Sequence, residues 1–208
     1  MRIACLHTID SNVAVFQSAS AGLDVSLTHQ VRADLLKRAE ADGGLTAEIR
    51  AETAELLRGL AAGADAVLLT CSTLGPSVED VDAGVPVLRV DAALAQQAVA
   101  ACGGKGHVLV MCAVQTTVEP TRKLFEAAAE GTGVGIAMRV IPCAWDAFRA
   151  GNVEAYHLII AQAVDAAYAE GAGVIALAQA SMTGAALLCR QGTPLTSPAA
   201  GMAAAAGS

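Results

Sequence analysis

Residues 63–76 read GADAVLLTCSTLGP. Gly63 closes the helical pattern before it. Ala66–Thr70 is a mostly apolar run without alternation, which suits a central strand buried on both faces of a parallel sheet. Cys71 then opens a polar turn with Ser72, Thr73, Gly75 and Pro76. In open parallel α/β sheets, ligands bind outside the carboxyl ends of the strands. The thiol of Cys71 is therefore expected to face a ligand, among hydroxyls and free backbone N–H groups. A strand-end turn ahead of a helix would also raise its thiolate content. Any one cysteine is more often a small core residue; its position at a strand end sets Cys71 apart.

Upstream of this stretch, Arg2–Thr8 reads as a first strand, followed by the polar turn Ile9–Asn12. A helix is expected over Val13–Ala21, with Asp10 or Ser11 as its cap. Leu23–Val31 suits a second strand. Thr46–Leu60 is an amphipathic helix with Thr46 as cap. Downstream, Val85–Val90 is a short strand and Asp91–Ala101 a helix. The pattern then restarts. His107–Ala113, Gly135–Ile141 and Val174–Ala178 read as strands, with helices at Pro120–Glu130 and Val153–Glu170. PCAWDAF, at 142–148, reads as a loop, where Trp145 is either a ligand wall or a partly buried anchor. RIACLHT and HVLVMCA start 105 residues apart; GADAVLLTC and GAGVIALAQ start 108 apart. Two such similar offsets predict an internal duplication, too long for a solenoid repeat. The fold class expected is α/β, with two similar lobes, each a mainly parallel sheet flanked by helices, and a site in the cleft between them. Residues 1–100 form the first lobe, 101–192 the second, and 193–208 a tail returning to the first.

The chain has 208 residues, with 54% hydrophobic residues, 3% aromatics and a net charge of −7. Ala, Val and Leu must therefore fill the core. No basic stripe points to nucleic acid. The six cysteines show neither a C-x-x-C pair nor zinc spacing, so no metal site is expected. The polar start MRIACLHTID does not resemble a signal peptide, and no apolar run reaches about 18 residues. A reduced, cytoplasmic protein without a membrane span is expected. The glycines at 103, 104 and 106 form no dinucleotide-binding fingerprint.

Several segments together resemble the aspartate/glutamate racemase superfamily, which includes hydantoin racemases, maleate isomerases and arylmalonate decarboxylases. They are IDSN at 9–12, GADAVLLTCST at 63–73, AVQTT at 113–117, GAGVIALAQASM at 171–182 and TSPAAG at 196–201. The resemblance spans nearly the whole chain. It implies two lobes related by a pseudo-twofold axis and proton transfer at the α-carbon of a small carboxylate, without a cofactor. It also implies one cysteine per lobe, on opposite faces of the substrate, and a possible homodimer. Positioned bases and polar groups that take up enolate charge are what such weak carbon acids require.

The chain departs from that pattern at one point. Gln179 stands where the second cysteine would be, in Ala178–Met182, and an amide is no base near neutral pH. Cys71 is the expected acid/base. Candidates for substrate contact are Asp10, Ser11, Asn12, Ser72, Thr73, Thr116, Thr117, Gln179 and Ser181, although turns favour such residues in any case. Val114 replaces the first threonine of the family's Ala-Thr-x-x-Thr turn. Asp10, His7 and His157 are the ionisable groups that could act opposite Cys71. Three functions stay open: a one-thiol isomerase, a decarboxylase that uses one thiol to protonate its carbanion, and a small-carboxylate-binding protein without turnover.

Overall fold

The computed structural model describes residues 1–207, Thr116 by its backbone only. The chain divides into two compact units, Met1–Ala93 together with Pro198 onward, and Leu94–Ser197. Each contains one four-stranded, fully parallel sheet.

In the first unit the strands are β1 (Arg2–His7), β2 (Ser26–Val31), β3 (Ala66–Leu69) and β4 (Val87–Arg89), in the order β2-β1-β3-β4. In the second they are β5 (His107–Cys112), β6 (Gly135–Val140), β7 (Val174–Leu177) and β8 (Leu195–Thr196), in the order β6-β5-β7-β8. The registers repeat as well. Ile3 pairs with Ala66 and Val108 with Val174. These pairs are related by the two offsets seen in the sequence. The duplication is thus present in sheet order and in register.

Apolar runs give the central strands. β3 is buried throughout, and β1 is buried from Ile3 on, because helices cover both faces of a parallel sheet. In the first unit, α1 (Ser11–Ala19) follows β1, and α2 (Ala33–Ala41) and α3 (Ala47–Ala61) follow β2. Thr46 caps α3 by accepting from the Ile49 N–H at 3.3 Å. Ala4 and Leu6 of β1 pack with Leu35, Ile49, Leu57 and Leu69 in one core. α4 (Val90–Ala101) begins in this unit and continues into the second. In the second unit, α5 (Val118–Ala129), α6 (Ala144–Arg149) and α7 (Val153–Ala169) flank the sheet. Tyr156, Ile160, Ile175 and Met182 lie at the centre of its core. The tail forms α8 (Ser197–Ala206), which lies against the start of α4: a Cβ at Gly201 would press into Val90.

Three local expectations need correction. PCAWDAF is not a loop: it forms α6, entered through Cys143 at φ 62°. Trp145 stacks on Phe148 within α6, and Phe148 tilts onto Tyr156, so Phe148 ties α6 to α7. Asp10 stands at the N-cap of α1, but neither it nor Ser11 caps the helix through its side chain. The turn after Cys71 leads into a 3₁₀ segment, Gly75–Asp80, and not a regular helix; a matching 3₁₀ segment, Ala180–Leu188, follows Gln179. Among the described residues, no helix is long and apolar enough to cross a membrane.

Candidate functional site

Cys71 lies two residues beyond β3, at the carboxyl end of a central strand, and is 9% exposed. The β1–β3 pairing continues one step past the strand: the Thr70 N–H donates to the Leu6 carbonyl at 3.1 Å. The backbone then leaves the sheet in a turn closed by the Gly75 N–H on the Ser72 carbonyl at 3.1 Å. Among the described residues, the Ser72 and Thr73 hydroxyls and backbone N–H groups have no hydrogen-bond partner, and both side chains are exposed.

The neighbouring turn after β1 carries Asp10, Ser11 and Asn12. Asp10 and Ser11 are exposed. Asn12 is largely buried, and its side-chain amide has no partner among the described residues, but its polar atoms are not buried and can meet water. At the end of β4, Arg89 grips Asp91 with two bonds of 2.7 Å, and its guanidinium lies over Gly75, in the segment after Cys71. Sequence reasoning missed this pair. Its only signal was an arginine at a strand's carboxyl end, in VPVLRVD.

The candidates of the second unit have internal partners. Gln179 accepts from the Ala113 N–H at 2.8 Å through Oε1 and donates to Thr117 Oγ1 at 2.9 Å through Nε2. The Thr117 hydroxyl in turn donates to the Val114 carbonyl at 2.8 Å. Gln179 thus clamps the strand-end turn after β5 to the end of β7. Ser181 Oγ bonds the Tyr156 hydroxyl at 2.9 Å, and its carbonyl accepts from His157 Nε2 at 3.0 Å. His157 and Tyr156 therefore anchor the 3₁₀ segment to α7. Burial pushes the Tyr156 hydroxyl up to about 12, the Ser181 bond opposing it. The side chain of Thr116 lies outside the described residues.

His7 closes β1, fully buried. Its Nδ1 bonds Thr70 Oγ1 at 2.9 Å and its Nε2 meets His29 Nδ1 at 2.9 Å. Burial, with the like charge of His29 adding to it, lowers its pKa to about 4, so the ring is neutral near pH 7. Cys112, at the end of β5, is the counterpart of His7 in the repeat. Burial raises its thiol, opposed by hydrogen bonds with Thr117 and Gln179. It was not singled out in the sequence because it reads as an interior strand residue.

No protein-family model and no curated protein sequence matches the chain. Solved structures do. Picrophilus torridus aspartate racemase matches with a TM-score of 0.70 at 13% identity, over 99% of this chain and 94% of that one. The fold is that of the aspartate and glutamate racemases. An aspartate racemase homologue from Pyrococcus horikoshii OT3 matches with a TM-score of 0.66 at 14% identity, over 100% of this chain and 99% of that one. Unliganded arylmalonate decarboxylase matches with a TM-score of 0.58 at 16% identity, over 99% and 93%. The racemase fold thus carries both chemistries among the neighbours, and it does not choose between them here.

Proposed function

We propose that this chain catalyses cofactor-independent proton transfer at the α-carbon of a small carboxylate or amino-acid derivative, with Cys71 as the acid/base. One observation carries this reading. The Ser72 and Thr73 hydroxyls that follow Cys71 have no partner among the described residues, whereas Gln179, at the equivalent place, is bonded to Ala113 and Thr117. Ser72 and Thr73, through hydroxyls and backbone N–H groups, would hold the carboxylate and take up charge that develops on it. Asn12, whose amide has no partner among the described residues, would contact the same substrate, with Asp10 and Ser11 at the rim. The Cys71 thiolate would take the α-proton, leaving the electron pair in an enolate, and a proton delivered from solvent to the opposite face would complete the reaction. In the second unit, Thr117, Gln179 and Ser181 are held by their own hydrogen bonds.

A second reading follows from the amide at 179. A decarboxylase needs a single proton donor, because loss of carbon dioxide itself generates the carbanion. The structural likeness to arylmalonate decarboxylase supports keeping it. The test is exchange of the α-proton in heavy water, run across amino acids, hydantoins and malonates, with carbon dioxide release measured in parallel. Exchange that depends on Cys71 and leaves the substrate's carbon count intact supports proton transfer. Carbon dioxide release from malonates supports the second reading. Exchange unchanged in Cys71→Ser would refute the assignment of the thiol.

A further inference from the structure

Cys5 and His7 are two residues apart on β1 and share one face of the strand. His29 on β2 is the register partner of Cys5. Parallel pairing therefore places a thiol and two imidazoles side by side, and one ligand atom from each falls within 4.8 Å of the others. We propose that Cys5 Sγ, His7 Nε2 and His29 Nδ1 form a site for a zinc-class divalent cation in the first unit. One thiolate with two imidazoles is a donor set zinc favours, with water as a fourth ligand.

Binding would draw the sulfur in and part the nitrogens. Zinc held at about 2.0–2.1 Å by nitrogen and about 2.3 Å by sulfur sets N···N near 3.4 Å and S···N near 3.6 Å for a tetrahedron. The two imidazole nitrogens, now 2.9 Å apart, would part by about 0.5 Å. Cys5 has no hydrogen-bond partner among the described residues.

The surrounding hydrogen bonds allow a metal-bound pair of imidazoles. Thr70 Oγ1 lies 3.1 Å from the Leu6 carbonyl and 2.9 Å from His7 Nδ1. When it donates to the carbonyl it accepts from His7 Nδ1–H, and His7 Nε2 presents a lone pair to a cation. Without a cation the hydroxyl can donate to His7 Nδ1 instead, and His7 Nε2–H and His29 Nε2–H then donate to His29 Nδ1 and Gln17 Oε1. A cation between the rings selects the first arrangement. His29 binds through Nδ1, its proton is on Nε2, and Gln17 Oε1 accepts it. Each ligating imidazole then donates to an oxygen, the outer arrangement that orients metal-bound histidines. The Cys5 proton leaves to solvent as the sulfur–metal bond forms. His29 is half-buried and Gln17 exposed, so the ion can reach the site from that edge. The rival is the metal-free relay from Thr70 through His7 and His29 to Gln17, which implies no metal affinity.

The test is titration of the chelator-stripped full-length protein with Co²⁺, followed by displacement with Zn²⁺. Saturation at one equivalent is expected, with a thiolate-to-cobalt charge-transfer band that Zn²⁺ removes. Cys5→Ser abolishes the band, and His29→Gln weakens binding at least tenfold. Gln17→Ala, an exposed change that leaves the core untouched, weakens it about tenfold. The exposed Cys143→Ser leaves both band and affinity unchanged. Zn²⁺ should raise the melting temperature of the wild type and not of His29→Gln. No saturable binding, a band that survives Cys5→Ser, or a band lost in Cys143→Ser overturns the site. So does equal affinity in the wild type and Gln17→Ala. If Cys5→Ser fails to fold, the Gln17→Ala comparison decides.

Discussion

Gln179→Ala tests whether this residue holds the second unit together. The amide makes two bonds, of 2.8 Å from the Ala113 N–H and 2.9 Å to the Thr117 hydroxyl. A net bond of this kind contributes about 1 kcal/mol, but a buried group left unpaired costs about 1–3 kcal/mol. Ala113 is 3% exposed, so its N–H falls in the second class. Thr117 keeps its bond to the Val114 carbonyl and loses only an incoming donor. The sum is a loss of about 2–4 kcal/mol. For a chain of this size that is a fall of about 4–16 °C in melting temperature, since 1 kcal/mol corresponds to about 2–4 °C. Urea unfolding monitored by Trp145 fluorescence reads it, because that indole sits in the same unit, on α6. Gln179→Glu, which keeps an acceptor for the Ala113 N–H, should lose less. A loss under about 0.5 kcal/mol for Gln179→Ala would refute the clamp and return the amide to the role of a ligand contact. The same clamp bears on Gln179→Cys. This change places a thiol at the strand-end position equivalent to Cys71 and, on the proposed function, should raise racemisation if Cys71 is in working geometry. It should also destabilise the unit, so turnover needs normalising to folded protein.

Cys71→Ser should lower α-proton exchange by about 10²-fold or more while leaving the melting temperature nearly unchanged; equal losses in both would point to a structural thiol. Gly75→Ala forces the Arg89 guanidinium off its seat and strains the Arg89–Asp91 pair, at a cost of about 1–3 kcal/mol. Arg89→Met in the same background should make the alanine nearly neutral, which a double-mutant cycle measures. The Arg32 hydrogen bond lowers the Asp34 carboxyl to about 2, from 3.8. Its folded pKa lies below its unfolded one, so its contribution is present above about pH 4 and fades as pH falls towards 2. Asp34 is half exposed, so the effect should stay under about 1 kcal/mol, shrink in high salt and vanish in Asp34→Asn.

The strands were legible where burial dictates composition. β3 and β7 are apolar runs of four, bounded by glycine before and polar turns after, and nothing but a central strand suits them. α2 was missed because its nine residues directly follow β2, without a turn signal between them. α6 was missed because it is only six residues long and follows Pro142 and a left-handed Cys143. Around Cys71, the free hydroxyls of Ser72 and Thr73 could be read as turn residues. Whether they were free could not.

The sequence alone determined the duplication, the α/β class and the place of Cys71 at a strand's end. Each follows from local rules: apolar runs, turn residues and a repeat in register. Tertiary structure decided what each polar side chain is bonded to. Gln179 and Cys71 are equivalent by position, yet the amide is turned onto Ala113 and Thr117, while the Ser72 and Thr73 hydroxyls beside the thiol have no partner among the described residues. Cys5, His7 and His29 meet because two parallel strands align in one register, and no spacing along the chain records that. Hydrogen-bond partners are chosen by distance in space, and a linear pattern carries distance only within an element.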